Sequence, residues 1–216
     1  MMKVAILGSG DVGRHLSEGF LSRGDTVWVG SRNPEKLEDW INSEAPGATA
    51  AIPEEAARAG ELLVLATSWD GVAPTAERIR PHAAGKLLID VTNPLGPGSA
   101  AGGPKLMTGY PDSGGKRVQE LLPESRVVKC FNTVNARFMV KPEFSGGPGD
   151  MFLCGNDERA KTTVAALCRE WGWIPQDLGT IEESYLLEAL AMTWINYAFR
   201  ENYWEHAFSF LNRAPE

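Results

Sequence analysis

The strongest chemical signal in the chain is Gly8-Ser9-Gly10-Asp11-Val12-Gly13, which directly follows the apolar run Val4-Ala5-Ile6-Leu7 and opens a helical pattern through Leu16, Phe20 and Leu21. Glycines at this spacing, between a strand and a helix, can hold a pyrophosphate. The first permits the tight turn, the second lets the backbone approach the phosphates, and the third lets helix pack on strand. The helix N-terminus adds unpaired N–H groups and a partial positive charge.

The ribose end of such a ligand falls after the next apolar run, Thr26-Val27-Trp28-Val29, where the chain reads Gly30-Ser31-Arg32-Asn33-Pro34-Glu35-Lys36. A site for NAD places Asp or Glu about 20 residues past the glycines, to accept hydrogen bonds from the ribose 2'-hydroxyl. No carboxylate stands at the end of this strand to repel a 2'-phosphate. Ser31 offers a hydroxyl and a backbone N–H, Arg32 a planar fork for phosphate oxygens, and Lys36 a further positive charge about one helical turn on. The set suits NADP.

Three more polar clusters each end an apolar run: Ala66-Thr67-Ser68, Asn93-Pro94 and Asn132-Thr133-Val134. Ligands of doubly wound sheets bind beyond the carboxyl ends of the strands. Ala66, Thr67, Ser68, Asn93, Pro94 and Asn132 are therefore expected beside the nicotinamide half of the cofactor, and Thr133 and Val134 on the substrate side. Trp69 reads either as a wall of the substrate side or as packing under the next helix. None of these is a strong acid, base or nucleophile, so no catalytic side chain is expected. Direct hydride transfer between two bound rings needs none, because proximity and orientation alone contribute about 7 to 11 kcal/mol.

The histidines, His15, His82 and His206, form no metal-ligand spacing with each other or with a cysteine, and no metal is expected. Cys130, Cys154 and Cys168 lie in apolar segments without C-x-x-C spacing and read as reduced core residues. The formal net charge of -7, with no Lys/Arg cluster, argues against nucleic acid. With no basic leader and no apolar run long enough for a span, a cytoplasmic protein with no membrane contact is expected.

The elements that must position these residues alternate. Strands are expected at 4–7, 26–29, 48–52, 62–66, 86–91, 126–131 and 151–154, with a last extended piece at Trp173-Ile174-Pro175. Helices are expected after the first glycines and at 34–41, 53–59, 71–82 and 157–171, with a further helix closing at Val118 to Leu122. Residues 96–115 hold seven glycines and read as a flap over the cofactor. From Ile181 to Leu211 the pattern is helical, with Leu186 to Phe199 apolar on most faces, so it needs cover on more than one side. The architecture is α/β: a Rossmann-type doubly wound parallel sheet over 1–180, with a C-terminal helical cap over 181–216 packed on it or on the partner of a homodimer.

The ordered set Val4 to Gly13, Gly30-Ser31-Arg32 with Lys36, Asp90-Val91-Thr92-Asn93-Pro94 and Val128-Lys129-Cys130-Phe131-Asn132-Thr133 resembles the coenzyme F420-dependent NADP oxidoreductases and their relatives, which include the cytosolic reductase domains of membrane metalloreductases. The likeness spans nearly the whole chain. It implies direct hydride transfer involving NADP(H), with the 2'-phosphate held by Ser31, Arg32 and Lys36. The small-molecule redox acceptor it implies is a deazaflavin (coenzyme F420) or a flavin. Two other readings stay open: a reductase of a small carbonyl or imine, and an NADP-binding sensor without chemistry. Hydroxyacid relatives carry a catalytic lysine in a long helical domain, whereas this chain has no Lys after Lys161.

Overall fold

The computed structural model describes residues 1–98, 103–211 and 213. Its first strand, β1 (Lys3–Leu7), shows why the apolar runs become strands buried on both faces. Val4 and Ile6 join the core on one side, Ala5 and Leu7 the core on the other, and all four are fully buried. The same alternation places β4 (Leu62–Leu65) and β5 (Leu87–Asp90) inside the sheet. Strands β2 (Thr26–Gly30), β3 (Thr49–Ala51), β8 (Arg126–Lys129), β9 (Asp150–Gly155) and β10 (Ile174–Asp177) complete it in the order β10-β9-β8-β5-β4-β1-β2-β3. A separate two-stranded ribbon pairs β6 (Leu95–Gly96) with β7 (Lys105–Leu106).

Helices cover both faces. On one lie α1 (Asp11–Ser22), α2 (Glu38–Ser43) and α6 (Glu158–Glu170), which bury Leu16, Phe20, Trp40, Val164 and Leu167. On the other lie α3 (Pro53–Ala59), α4 (Trp69–Ala83), α5 (Gly114–Leu121) and α7 (Ser184–Glu201), through Ala56, Val72, Ile79, Val118 and Leu187. Strand order reverses at β1, whose neighbours are β2 and β4. The crevice beyond the carboxyl ends of β1 and β4 is the switch point at which such sheets bind ligands.

Four features differ from the sequence expectations. Strand β9 pairs antiparallel with β8 and parallel with β10, so the sheet is mixed at that end; an apolar strand has no directional signal of its own. The terminal helix stops at Glu201 rather than running to Leu211, because Asn202 adopts the left-handed conformation (φ 48°). The chain beyond it folds back, with the Asp150 N–H donating to the Phe208 carbonyl at 2.8 Å and the Trp194 indole N–H to the His206 carbonyl at 2.8 Å. Within α7 only one stripe is buried: Ser184, Leu187, Glu188, Ala191, Trp194 and Ala198. Finally, the glycine-rich stretch 96–115 contains β7 and the first residues of α5, which begins at Gly114 and closes at Leu121, within the expected 118–122; residues 99–102 of the stretch lie outside the described residues.

Candidate functional site

Each of the first three glycines meets a different constraint. Gly8 has φ +132°, and a Cβ there would stand 2.3 Å from the Ala66 carbonyl oxygen at the end of β4. At Gly13 a Cβ would stand 2.1 Å from the Gly8 carbonyl, so this glycine lets α1 close onto the turn. Around Gly10 nothing lies within 4 Å of a Cβ. The turn is therefore tight where protein meets protein and open where a ligand backbone would lie. No side chain caps α1, so the first-turn N–H groups of Asp11, Val12 and Gly13 keep their capacity to bond an anion. Val12 itself packs on the core, while the Asp11 carboxylate turns toward His15, 3.5 Å away.

The ribose side is joined to this turn by a hydroxyl contact. Ser9 Oγ donates to Ser31 Oγ at 3.4 Å, and Ser31 Oγ accepts the Asn33 N–H at 3.2 Å. The Ser31 N–H is committed to the Ala51 carbonyl at 2.9 Å, so its hydroxyl rather than its amide faces outward. Arg32 and Lys36 are exposed, and neither side chain forms an ion pair among the described residues. Arg14 reaches back over the glycine turn, with its guanidinium over the Trp40 ring at 5.1 Å and its Nε donating to the Ser9 carbonyl at 3.3 Å.

At the neighbouring strand ends, Ala66 is buried, Thr67 half-buried, and Ser68 exposed at the start of α4 without capping it. The Thr67 hydroxyl is buried with no hydrogen-bond partner. Asn93 and Asn132 face each other: Asn132 Nδ2 donates to Asn93 Oδ1 at 2.9 Å, and Asn93 Nδ2 donates to the Asn132 carbonyl at 2.9 Å. Asn132 Nδ2 also donates to the Leu187 carbonyl of α7 at 3.1 Å. Two acceptors at Nδ2 fix the orientation of that amide, and they leave Asn132 Oδ1 buried without a partner. An orphaned hydroxyl past β4 and an orphaned acceptor past β8, with β5 between them, together with a glycine cradle past β1 that a Cβ would fill, fit the carboxamide and phosphates of a dinucleotide.

Pro94 and Trp69 meet at Gly114, where a Cβ would come 3.1 Å from the Trp69 ring and 3.2 Å from Pro94. Trp69 is half-buried and packs against the α4 face of the core. Thr133 and Val134 are buried, Val134 among the residues of the opposite core.

Beneath these residues lies a network that sequence reasoning missed. Lys129 is completely buried, with its ammonium donating to Asp90 Oδ2 at 2.9 Å and to the Thr92 carbonyl at 2.8 Å, and lying 3.3 Å from Glu188 Oε1. Asp90 accepts the Thr92 N–H at 2.9 Å and its hydroxyl at 2.7 Å. Glu188 accepts the N–H groups of Gly114 and Gly115, each at 3.0 Å. Burial disfavours the Lys129 charge, but the two carboxylates outweigh it and hold the ammonium above its usual pKa. A lysine inside a buried strand and a glutamate inside an apolar helix were the available signals, since buried charges require partners.

The three cysteines are free and buried. Burial, partly offset by Lys129, pushes the Cys154 thiol up to about 12. Burial and the neighbouring Cys168 raise Cys130 as well. Both shifts favour the protonated thiol over the reactive thiolate. Among the described residues no group of His, Cys, Asp and Glu is arranged to hold a metal, and no helix is long and apolar enough to cross a membrane.

Comparisons with known proteins agree with this geometry. The family model for NADP oxidoreductase, coenzyme F420-dependent, matches residues 3–94. The chain is 30% identical over 197 residues to metalloreductase STEAP3 of Rattus norvegicus, covering 88% of this chain but only 36% of that relative. It is 29% identical over 202 residues to an F420-dependent NADP reductase of Methanocaldococcus jannaschii, covering 88% of this chain and 89% of the relative. A crystal structure of a putative F420-dependent NADP reductase from Arthrobacter sp. FB24 superposes with a TM-score of 0.92 at 33% identity, over 98% of this chain and all of that one.

Proposed function

This chain belongs to the coenzyme F420-dependent NADP oxidoreductase family, and from that premise we propose that it transfers a hydride between NADP(H) and a deazaflavin or flavin ring that binds reversibly. NADP(H), when bound, supplies or takes up a hydride: one hydrogen nucleus with two electrons. The protein's part is then to bind, orient and exclude water. Gly8 to Gly13 and the α1 N-terminus hold the pyrophosphate; Ser31, Arg32 and Lys36 hold the 2'-phosphate. Asn132 Oδ1 and the Thr67 hydroxyl are the groups that orient the carboxamide.

The observation that carries the choice of a ring acceptor is the chemistry of the crevice floor. Its polar groups, Thr67 and the Asn93–Asn132 pair, are neutral, while the charged groups below them, Lys129, Asp90 and Glu188, are buried and committed to one another. Reduction of a carbonyl needs a proton delivered as the hydride arrives, and none of the polar side chains described at these strand ends is an acid free to deliver it. A deazaflavin or flavin ring demands alignment above all.

NADPH deuterated on one face of the nicotinamide tests the reading. Deuterium should pass from one face only to the ring carbon of the deazaflavin, without exchange into solvent. Rapid NADPH-dependent reduction of a small ketone or imine, with no turnover of coenzyme F420 or any flavin, would overturn it.

A further inference from the structure

The chain from Thr108 into the start of α5 is tied down by one buried carboxylate. Glu188, on the buried stripe of α7, accepts the Gly114 and Gly115 N–H groups at 3.0 Å each, and its Oε2 lies 3.4 Å from the Thr108 hydroxyl. A helix N-terminus here holds an anion that belongs to the protein itself. The glycines are needed for this approach: a Cβ on Gly114 would stand 2.8 Å from Glu188 Oε1, and one on Gly115 2.7 Å from the Ser184 side chain.

The same carboxylate reaches the crevice floor by two routes. It pairs with Lys129, which donates to the Thr92 carbonyl, one residue before Asn93. Its chain neighbour Leu187 accepts from Asn132, which is paired with Asn93. Hydrogen bonds and the Lys129–Glu188 ion pair therefore join α7, the ends of β5 and β8, and the start of α5. The segment held by them packs on α7 and on the exit of β5: the Met107 N–H donates to the Pro94 carbonyl at 2.8 Å, Tyr110 packs edge-on against Tyr185, and Gly103 is buried against Phe199. Two carboxylates and one ammonium with no exposure form a costly arrangement, one that apolar residues of equal volume commonly match in stability. What the charges add is a fixed geometry.

We propose that Glu188 is a positioning residue: it latches the 103–113 segment over the acceptor side of the crevice and holds the Asn93–Asn132 pair in register beneath the reacting ring. The proposal rests on the hydride-transfer reading above. Glu188→Gln keeps the side chain's shape but replaces one acceptor with a donor that faces the Gly114 or Gly115 N–H. The variant should bind NADPH within about threefold of the parent, because the phosphate sites are elsewhere. Its hydride-transfer rate to coenzyme F420 should fall at least about tenfold, with the primary deuterium isotope effect rising as chemistry becomes limiting. In hydrogen exchange with NADPH bound, the amides of 103–115 should lose protection while those of β1 and β4 keep theirs.

If Glu188→Gln does not fold, Glu188→Asp takes its place, since it keeps the charge beside Lys129 while drawing the carboxylate back from the Gly114 and Gly115 N–H groups; it should give the same split. Unchanged turnover and unchanged protection of 103–115 in the variant that folds would overturn the latch. So would parallel losses in NADPH affinity and rate, which mark a general structural defect. Should the parent protein pass no deuterium to any deazaflavin or flavin, the functional reading fails, and the exchange measurement still decides the latch.

Discussion

Asn93 and Asn132 are bound to each other twice, amide to amide and amide to backbone, across the ends of β5 and β8. The pair commits three of its four amide groups and leaves one, Asn132 Oδ1, buried without a partner. Replacing Asn132 with Asp removes the donor shared by Asn93 Oδ1 and the Leu187 carbonyl and sets acceptor against acceptor. We expect Asn132→Asp to lose about 2 to 4 kcal/mol of stability, and the milder Asn93→Ala, at a half-buried position, about 1 kcal/mol. Urea unfolding of both variants checks this; an Asn132→Asp protein as stable as its parent would contradict the pairing.

The third and second glycines of the motif separate folding from binding. Gly13→Ala forces a Cβ to 2.1 Å from the Gly8 carbonyl, and backbone cannot yield as a side-chain tip can, so a loss of about 3 kcal/mol or more is expected. Gly10 has φ -77° and open space around it. Gly10→Ala should therefore unfold within about 0.5 kcal/mol of the parent yet bind NADPH at least about tenfold more weakly. Melting curves paired with NADPH titrations distinguish the two outcomes.

Legibility followed burial and punctuation. Helix α3 runs from Pro53 to Ala59, its sequence bounds, because Pro at the first turn and Gly60 after the last define both ends locally. Strands β1, β4 and β5 announced themselves as apolar runs. The direction of β9 was not legible, since its residues are buried whichever way it runs. The stop at Asn202 was hidden because the aromatic pattern continues through Tyr203, Trp204 and Phe208 into chain that packs without being helical. Lys129 and Asp90 were visible as letters, but their bond spans two strands and their third partner lies on α7. Only the fold brings Glu188 to them.

Alkaline pH should unfold the protein through its thiols. A thiol whose folded pKa is raised favours folding while it stays protonated; that advantage is intact below its unfolded value and is lost as pH rises between the unfolded and folded values. Cys154, raised to about 12, and Cys130, also raised, both behave so. Each should remove about 1.4 kcal/mol of stability per pH unit above about pH 8.5. Urea melts at pH 8, 9 and 10 should show the decline, and Cys154→Ala should reduce its slope by about one thiol's share. A variant with the parent's slope would show that the Cys154 proton plays no part.

Helix α7 presents a second apolar face. Leu186 is 38% exposed, Tyr197 50% and Phe199 49%, all outside the buried stripe. Apolar surface of this kind on a terminal helix marks an interface between subunits, and we expect a homodimer in solution. Light scattering at micromolar concentration should give twice the chain mass, and Tyr197→Asp should shift it to monomer. A parent protein that scatters as a monomer would refute the expectation.

Cofactor choice comes down to the end of β2. Arg32 is exposed, unpaired among the described residues, and one residue past Ser31, whose hydroxyl is tied to the phosphate-binding turn through Ser9. An arginine with no protein partner contributes little to stability, so Arg32→Ala should melt as the parent does. Its fork is free for the 2'-phosphate, where charge-assisted hydrogen bonds contribute about 1.5 to 3 kcal/mol. Arg32→Ala should therefore weaken NADPH binding roughly ten- to a hundredfold and leave NADH nearly unchanged. Ser31→Asp goes further, since it places at the strand end the carboxylate that accepts from a ribose 2'-hydroxyl and repels a 2'-phosphate. That variant should lose NADPH and gain NADH, reversing the preference. Titration of both cofactors against the three proteins decides the matter: equal losses for NADPH and NADH in Arg32→Ala would place the 2'-phosphate elsewhere.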